Sequence, residues 1–287
     1  MKTTRTLAIV ALLAAPLFAQ QQSNQRVEWN QAQKPFKVFG NTYWVGTRGL
    51  GSVLITSAAG HVLIDGALPE SVPQITASIT ALGFKVQDVK LILNSHIHYD
   101  HAGGIGALQR ASGARVAVSA SSAAVLEAGA SGPDDPQIGI LEPIDKVTKV
   151  TVVKDGETLK VGGLALTAHL TPGHTAGGTS WSWRSCEGAR CVDVVYADSL
   201  GPVSNSTYKY TSSPLLKGFD TSYATLDRLR CDIILAPHPG FVRLFEKLKA
   251  RDAGTADAFV DTDGCKTYVA AARQNLARRL AEERNAR

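Results

Sequence analysis

His96-Ile97-His98-Tyr99-Asp100-His101 packs three imidazoles and a carboxylate into six consecutive positions, directly after the apolar run Leu91-Ile92-Leu93. The run has the length and branching of a buried strand, and Gly103-Gly104 follows as loop punctuation. The polar cluster therefore sits in a loop at a strand end, where side chains converge on one point. A His-rich surface loop is the competing explanation. It loses because five of the chain's seven histidines fall in matching contexts.

Two of those five lie further on. Thr171-Pro172-Gly173-His174-Thr175 follows one strand-like run, and Ala236-Pro237-His238-Pro239-Gly240 follows another. Each tight turn fixes where its histidine points. Three strand ends thus offer six N/O ligands: His96, His98, His174, Asp100, His101 and His238. A catalytic zinc takes three protein ligands and keeps a position open, so six ligands suit two Zn²⁺ ions. Within the loop, His96 and His98 can face one metal while Asp100 and His101 turn to a second. Imidazole and carboxylate without thiolate suit zinc, although manganese and iron accept the same set. His61 and His169 sit in or beside strand runs without a partner motif and are read as structural.

The elements around these turns define the fold. Strand-like runs at 36–38, 43–45, 52–55 and 62–64, separated by Gly-containing turns, form an antiparallel meander. A helix from about Glu70, capped near Gly83, leads to the strand at 90–93 and the metal loop. A helix through Ile105 and Leu108, a strand at 115–118 and a helix at 121–128 continue the alternation. Residues 132–136, Gly-Pro-Asp-Asp-Pro, form a loop. Strands then resume at 147–153 and 157–161, with Lys154-Asp155-Gly156 between them as a hairpin signal. Further strands follow at 164–170, 180–183, 192–196 and 232–235. Helices at 221–228, 241–251 and 266–283 complete the pattern. Meander followed by strand–helix alternation, twice over, gives an αββα sandwich, with two β-sheets face to face and helices outside. Residues 20–35, rich in Gln and Asn, read as a loosely ordered arm.

With 44% hydrophobic and 19% charged residues, 287 residues bury a core without help from metal, so zinc here is functional rather than structural. Residues 1–19 have another character: Lys2 and Arg5 precede the apolar run 7–17, and Ala19 offers a cleavage site. About eleven apolar residues are too few to span about 30 Å of hydrocarbon. This is a secretory signal peptide. The expectation is periplasmic export, with secretion as the alternative, leaving 20–287 as one catalytic domain. Losing Lys2 and Arg5 lowers the formal charge of +5 by two. The basic residues Arg273, Arg278, Arg279 and Arg284 fit a solvated helix face, so neither nucleic acid nor membrane is expected as a partner. Four cysteines allow three pairings. Cys186 and Cys191 flank a polar turn, which makes them the cheapest bridge and leaves Cys231 with Cys265.

The order H-x-H-x-D-H, T-P-G-H-T, A-D-S, A-P-H-P-G resembles the metallo-β-lactamase superfamily over nearly the whole mature chain. The stretches 40–47, 174–181 and 197–200 are most similar to the third subclass of the class B β-lactamases. Unlike the first subclass, the chain has no cysteine near Ser199; unlike the second, it keeps His96. The resemblance implies a dizinc site in the cleft, with His96, His98 and His174 on one ion and Asp100, His101 and His238 on the other. It implies hydrolysis of a β-lactam ring amide of penicillins, cephalosporins or carbapenems, hence antibiotic resistance. In that reaction Asp100 is a catalytic residue and Ser199 binds substrate. The Cys231–Cys265 bridge also resembles the subclass. The residue that divides the family is Asp198: in thioesterase- and lactonase-type relatives an aspartate here bridges the metals, whereas in the β-lactamase subclass it is no ligand. Ser199 as substrate contact is preferred over Asp198 as bridge. Gly201 stands where the subclass often has a second hydroxyl. The alternatives are a lactonase or thioesterase of the same superfamily and, more remotely, a non-enzymatic periplasmic zinc-binding protein. No obligate protein partner is evident.

Overall fold

The structure, a computed structural model, describes residues 24–286. The signal peptide expected at 1–19 lies outside them. The first sheet runs in the order β1 (Phe36–Phe39), β2 (Thr42–Trp44), β3 (Val53–Ile55), β4 (His61–Ile64), β5 (Val89–Leu93), β6 (Arg115–Ser119), β7 (Val150–Val153). Its first four strands are the expected antiparallel meander; β4 to β7 pair in parallel through helical crossovers. The second sheet has the order β12 (Ile233–Leu235), β11 (Arg190–Tyr196), β10 (Thr179–Glu187), β9 (Leu164–Leu170), β8 (Thr158–Val161). It is antiparallel except for β12, which adds in parallel to β11.

Strand periodicity explains the layers. In β4 and β5 the side chains of Val62, Ile64, Leu91 and Leu93 face the second sheet. The intervening Leu63 and Ile92 face outward onto helices α2 (Val72–Ala81), α4 (Ile105–Ser112) and α5 (Ala120–Ala128), through Ile75, Ile79, Ile105, Leu108 and Leu126. A strand covered on both faces must be apolar throughout, which is why Leu91-Ile92-Leu93 shows no alternation. On the other side, Phe219, Tyr223 and Leu226 of α6 (Leu215–Arg228) join the buried cluster that contains the second sheet. So do Tyr268, Val269, Ala272 and Leu276 of α8 (Gly264–Asn285). Between them in sequence lies α7 (Leu244–Asp252). The fold is the expected four-layer αββα sandwich. Both expected disulfides are present, Cys186–Cys191 across a directly opposed pair of β10 and β11, and Cys231–Cys265 joining the start of β12 to α8.

Three local expectations are corrected. Lys154-Asp155-Gly156 turns the chain, but β7 and β8 do not form a hairpin. β7 pairs in parallel with β6 while β8 pairs with β9 in the other sheet, so the turn is the passage between sheets. Gly156 takes φ +75°, and its N–H donates to Ala168 O, which commits the turn to the second sheet. The arm is not loose: residues 24–29 are helical (α1), Thr47 Oγ1 donates to Trp29 O at 2.6 Å, and Arg26 pairs with both Glu70 and Glu142. Finally, Tyr99–Ala102 of the metal loop is one helical turn, α3, with the N–H groups of His101 and Ala102 donating to His98 O.

Candidate metal centre

The six expected ligands gather at the C-terminal ends of β5, β9 and β12. His96 and His98 follow the end of β5, His98 on extended backbone, and the α3 turn then swings Asp100 and His101 to the other side. The His174 turn is held to the metal loop by Thr179 N–H donating to Ser95 O at 2.8 Å. Gly173 sits at φ +142°, where a Cβ would lie 2.7 Å from the Phe219 ring, so only glycine makes this turn. His238 follows β12 directly, and Gly51 N–H donates to Pro237 O at 2.7 Å.

Two clusters result: His96, His98 and His174, and Asp100, His101 and His238, each with ligand atoms within 4.8 Å of one another. In the second, His101 Nε2 lies 3.0 Å from Asp100 Oδ2 and 3.2 Å from His238 Nε2. Several bases and a carboxylate oxygen held this close in a buried site repel unless a proton or a cation lies between them. The donor set therefore fits zinc, three ligands to each ion.

The far side of each ring shows how it is aimed. His174 Nδ1–H donates to Gly201 O at 2.6 Å, leaving Nε2 for the cleft. His238 Nδ1 faces Gly49 O at 3.3 Å. His96 Nδ1 lies 2.8 Å from Asp198 Oδ1, and its buried Nε2 has no protein partner. Histidine ligands in metal sites are oriented by this kind of outer contact. His98 is gripped from the loop at 132–136: its Nε2 lies 3.2 Å from Asp135 Oδ2.

Electrostatics follow from burial. Burial and the neighbouring imidazoles of His101, His174 and His98 push His96 well below its ordinary value, so its contact with Asp198 is a hydrogen bond rather than an ion pair. Burial, then His98, lowers His174 to about 3. Burial alone would raise the Asp100 carboxyl, but the charges and hydrogen bonds of His101 and His238 hold it well below the usual range. Burial pushes Asp198 well above it.

Asp198 stands behind His96, not between the two clusters. Its N–H donates to Ser180 Oγ at 3.0 Å and its carbonyl accepts from Tyr268 OH at 2.8 Å. Gly178 makes room for the carboxylate, because a Cβ there would collide with Asp198 Oδ2 and the Thr171 carbonyl. Ser199, next in the chain, lines the cleft with a buried Oγ that has no protein partner.

Asp65 directly follows the last residue of β4. The structure makes it the keystone under the metal loop, fully buried at φ +61°. Its carboxylate accepts from Asn94 Nδ2, Ser95 N–H, Ser95 Oγ and Tyr196 OH, all at 2.7–2.8 Å. An aspartate ending the apolar run 62–64, just before Gly66, is the signal that could have found it. Residues in sparsely populated backbone regions cluster at functional sites. His61 packs on Phe84 and His169 bonds Ser182 Oγ, both away from the clusters. Tyr208 and Tyr210 face Ser213 and Val203 O, so they pack rather than line the cleft.

The metal clusters form the floor of a cleft of about 500 Å³, walled by Trp29, Tyr99, Gln137, Ser199, Val203 and Phe241, with no lysine or arginine in its lining among the described residues. Val203 and Phe241 are 50% and 58% exposed, giving it an apolar rim. Among the described residues no helix is long and apolar enough to cross a membrane.

Comparison with known proteins agrees with this geometry. The structure superposes on the Rm3 metallo-beta-lactamase with a TM-score of 0.89 at 51% identity, covering 91% of this chain and 98% of that one. MEM-A1, a subclass B3 metallo-beta-lactamase from a soil metagenome library, gives a TM-score of 0.88 at 46% identity, covering 90% and 100%. Among curated sequences, a hydroxyacylglutathione hydrolase of Bradyrhizobium sp. (strain ORS 278) is 30% identical over 149 residues, 52% of this chain and 49% of that protein. The chain thus spans about half the length of the curated relatives it matches. The metallo-beta-lactamase superfamily model matches residues 51–241. The chain belongs to the metallo-beta-lactamase superfamily, and the solved structures it resembles over about nine-tenths of its length include a subclass B3 enzyme.

Proposed function

We propose that the chain is an exported β-lactamase that opens the ring amide of β-lactam antibiotics with two zinc ions. The observation that carries this reading over a thioesterase or lactonase is the posture of Asp198, turned behind His96 instead of toward both clusters. A second observation favours it over glutathione thioesters. A substrate with several carboxylates calls for cationic side chains, and among the described residues the cleft lining offers no lysine or arginine.

When bound, zinc supplies Lewis acidity toward the ring carbonyl and lowers the pKa of a water in the cleft. His96, His98 and His174 would hold one ion, and Asp100, His101 and His238 the other. Asp100, held ionised by His101 and His238, orients the attacking water with its carboxylate and can pass a proton on toward the ring nitrogen. Ser199 Oγ, buried without a protein partner, donates to the carboxylate of the antibiotic. Trp29 and Phe241 cover the fused ring system with apolar surface and thin the water around the amide. No side chain need act as a covalent nucleophile. Residues 1–19 direct export to the periplasm, and 20–287 form the single catalytic domain.

The test is a paired assay on the purified mature protein. Chromogenic cephalosporin and carbapenem should be turned over, activity should vanish with a chelator and return with zinc. Efficient hydrolysis of an S-acylglutathione or an acyl-lactone, with no β-lactam opened, would sink the proposal.

A further inference from the structure

One loop touches both nitrogens of His98. From residues 132–140, Asp135 presents its carboxylate to His98 Nε2 at 3.2 and 3.3 Å, while Gln137 brings its amide nitrogen to 3.2 Å from His98 Nδ1. Asp135 is 7% exposed at its side chain, so this contact is screened from solvent. Its Oδ1 also accepts from Gln137 N–H at 2.8 Å, which locks the two residues into one turn. The loop is fixed from outside as well. Asn205 N–H donates to Pro136 O at 2.8 Å, Asn205 Nδ2 donates to Ile138 O at 2.9 Å, and Glu142 pairs with Arg26 of α1.

A carboxylate can only accept, so Nε2 carries the proton; an amide NH₂ can only donate, so Nδ1 presents its lone pair. The two contacts select the same tautomer of His98, the one with Nδ1 free to bind a metal. Resting on the two-metal reading above, we infer that Asp135 is a positioning residue. It holds His98 as an Nδ1 ligand of the first metal and so ties the cleft loop to metal occupancy. Its counterpart is Asp198 behind His96. Two of the three imidazoles of an all-histidine cluster are thereby backed by carboxylates, which raises their basicity as ligands. Gln137 gives up Nδ1 when the metal arrives, because an amide NH₂ and a cation compete for one lone pair. Metal loading then frees the Gln137 side chain into the cleft while Asp135 keeps the turn in place.

The experiment measures zinc affinity in competition with a chromophoric chelator for the parent, Asp135→Asn, Asp135→Glu and, as control, the exposed neighbour Asp134→Asn. Asp135→Asn should weaken one of two zinc sites by roughly 10–100-fold, with Asp135→Glu recovering part of the loss. Asp134→Asn should match the parent. Hydrogen exchange at residues 135–140 should differ between metal-free and zinc-loaded parent, and less so in Asp135→Asn. Thermal unfolding of the metal-free variants separates a folding defect from a ligand defect. An affinity change below about threefold in Asp135→Asn, or an equal loss in Asp134→Asn, overturns the inference. If the parent binds no zinc at all, the two-metal reading itself fails, which is a different result.

Discussion

Replacing Asp198 by Asn keeps its size and an acceptor oxygen for His96 Nδ1–H but removes the charge. The carboxylate cannot relocate to compensate. Its main chain is pinned at both ends by Ser180 and Tyr268, and the side chain lies against Gly178 with no room to swing. Acting only from behind His96, it tunes one ligand of one metal. Loss of such an outer contact costs about 10–100-fold in metal affinity, about 1.4–2.7 kcal/mol. Asp198→Asn should therefore still bind two zincs per chain, with one binding step weakened by that factor and the other unchanged. Asp198→Ala should do worse, because His96 Nδ1–H then keeps only the longer contact to Ser95 Oγ at 3.3 Å. The assay is a zinc titration of metal-free protein against a competing chelator, with bound metal counted by mass spectrometry of the folded protein. If Asp198 bridged the metals, the substitution would strip a ligand from both and the count would fall below two. That result, or an unchanged affinity in both steps, would refute the reasoning.

Ser199→Ala should raise KM for a carboxylate-bearing β-lactam with kcat little changed. One lost charge-assisted hydrogen bond of about 1.5–3 kcal/mol is expected, read in steady-state kinetics. The two disulfides close loops of very different size, 34 and 5 residues apart in sequence. Chain entropy gives about 3.8 kcal/mol for Cys231–Cys265 and about 2 kcal/mol for Cys186–Cys191, so urea unfolding of the double Ala variants should rank them in that order. In metal-free protein, burial holds His174 at about 3 against an ordinary 6.5, and holds His96 well below that value too. A folded state with depressed histidine pKa values loses stability as pH falls. The loss begins near 6.5, where the unfolded chain starts to bind protons, and continues toward about 3, at up to about 1.4 kcal/mol per pH unit for each histidine. Unfolding midpoints that stay flat from pH 7 to about 4 would contradict this.

The sandwich was legible because strands buried on both faces leave uninterrupted apolar runs, and because ligands cluster just past their ends. The six ligands could be named from sequence since turns such as Pro172-Gly173 permit few directions for the next side chain. What could not be read was long-range. Nothing local says that β7 joins β6 and β8 joins β9, because a turn of Lys-Asp-Gly serves a hairpin and a crossing between sheets alike. The helix α6 begins at Leu215 rather than near 221; Gly218, a poor helix former, lies inside it because a Cβ there would come within 3.0 Å of the Pro172 backbone. Asp135 was invisible as a site residue because its partner lies 37 positions away in sequence, and Asp65, marked only by its place after an apolar run, has its partner 30 positions away. The role of Asp198 depended on which side of His96 its carboxylate occupies, a matter of packing by Gly178 and Tyr268.

Anomalous diffraction at the zinc edge, from crystals of the zinc-loaded mature protein, tests the two-metal site most directly. Two peaks are expected in the cleft, one among His96, His98 and His174 and the other among Asp100, His101 and His238, with Asp198 outside both coordination spheres. A single peak, or an Asp198 oxygen ligating both ions, would contradict the account.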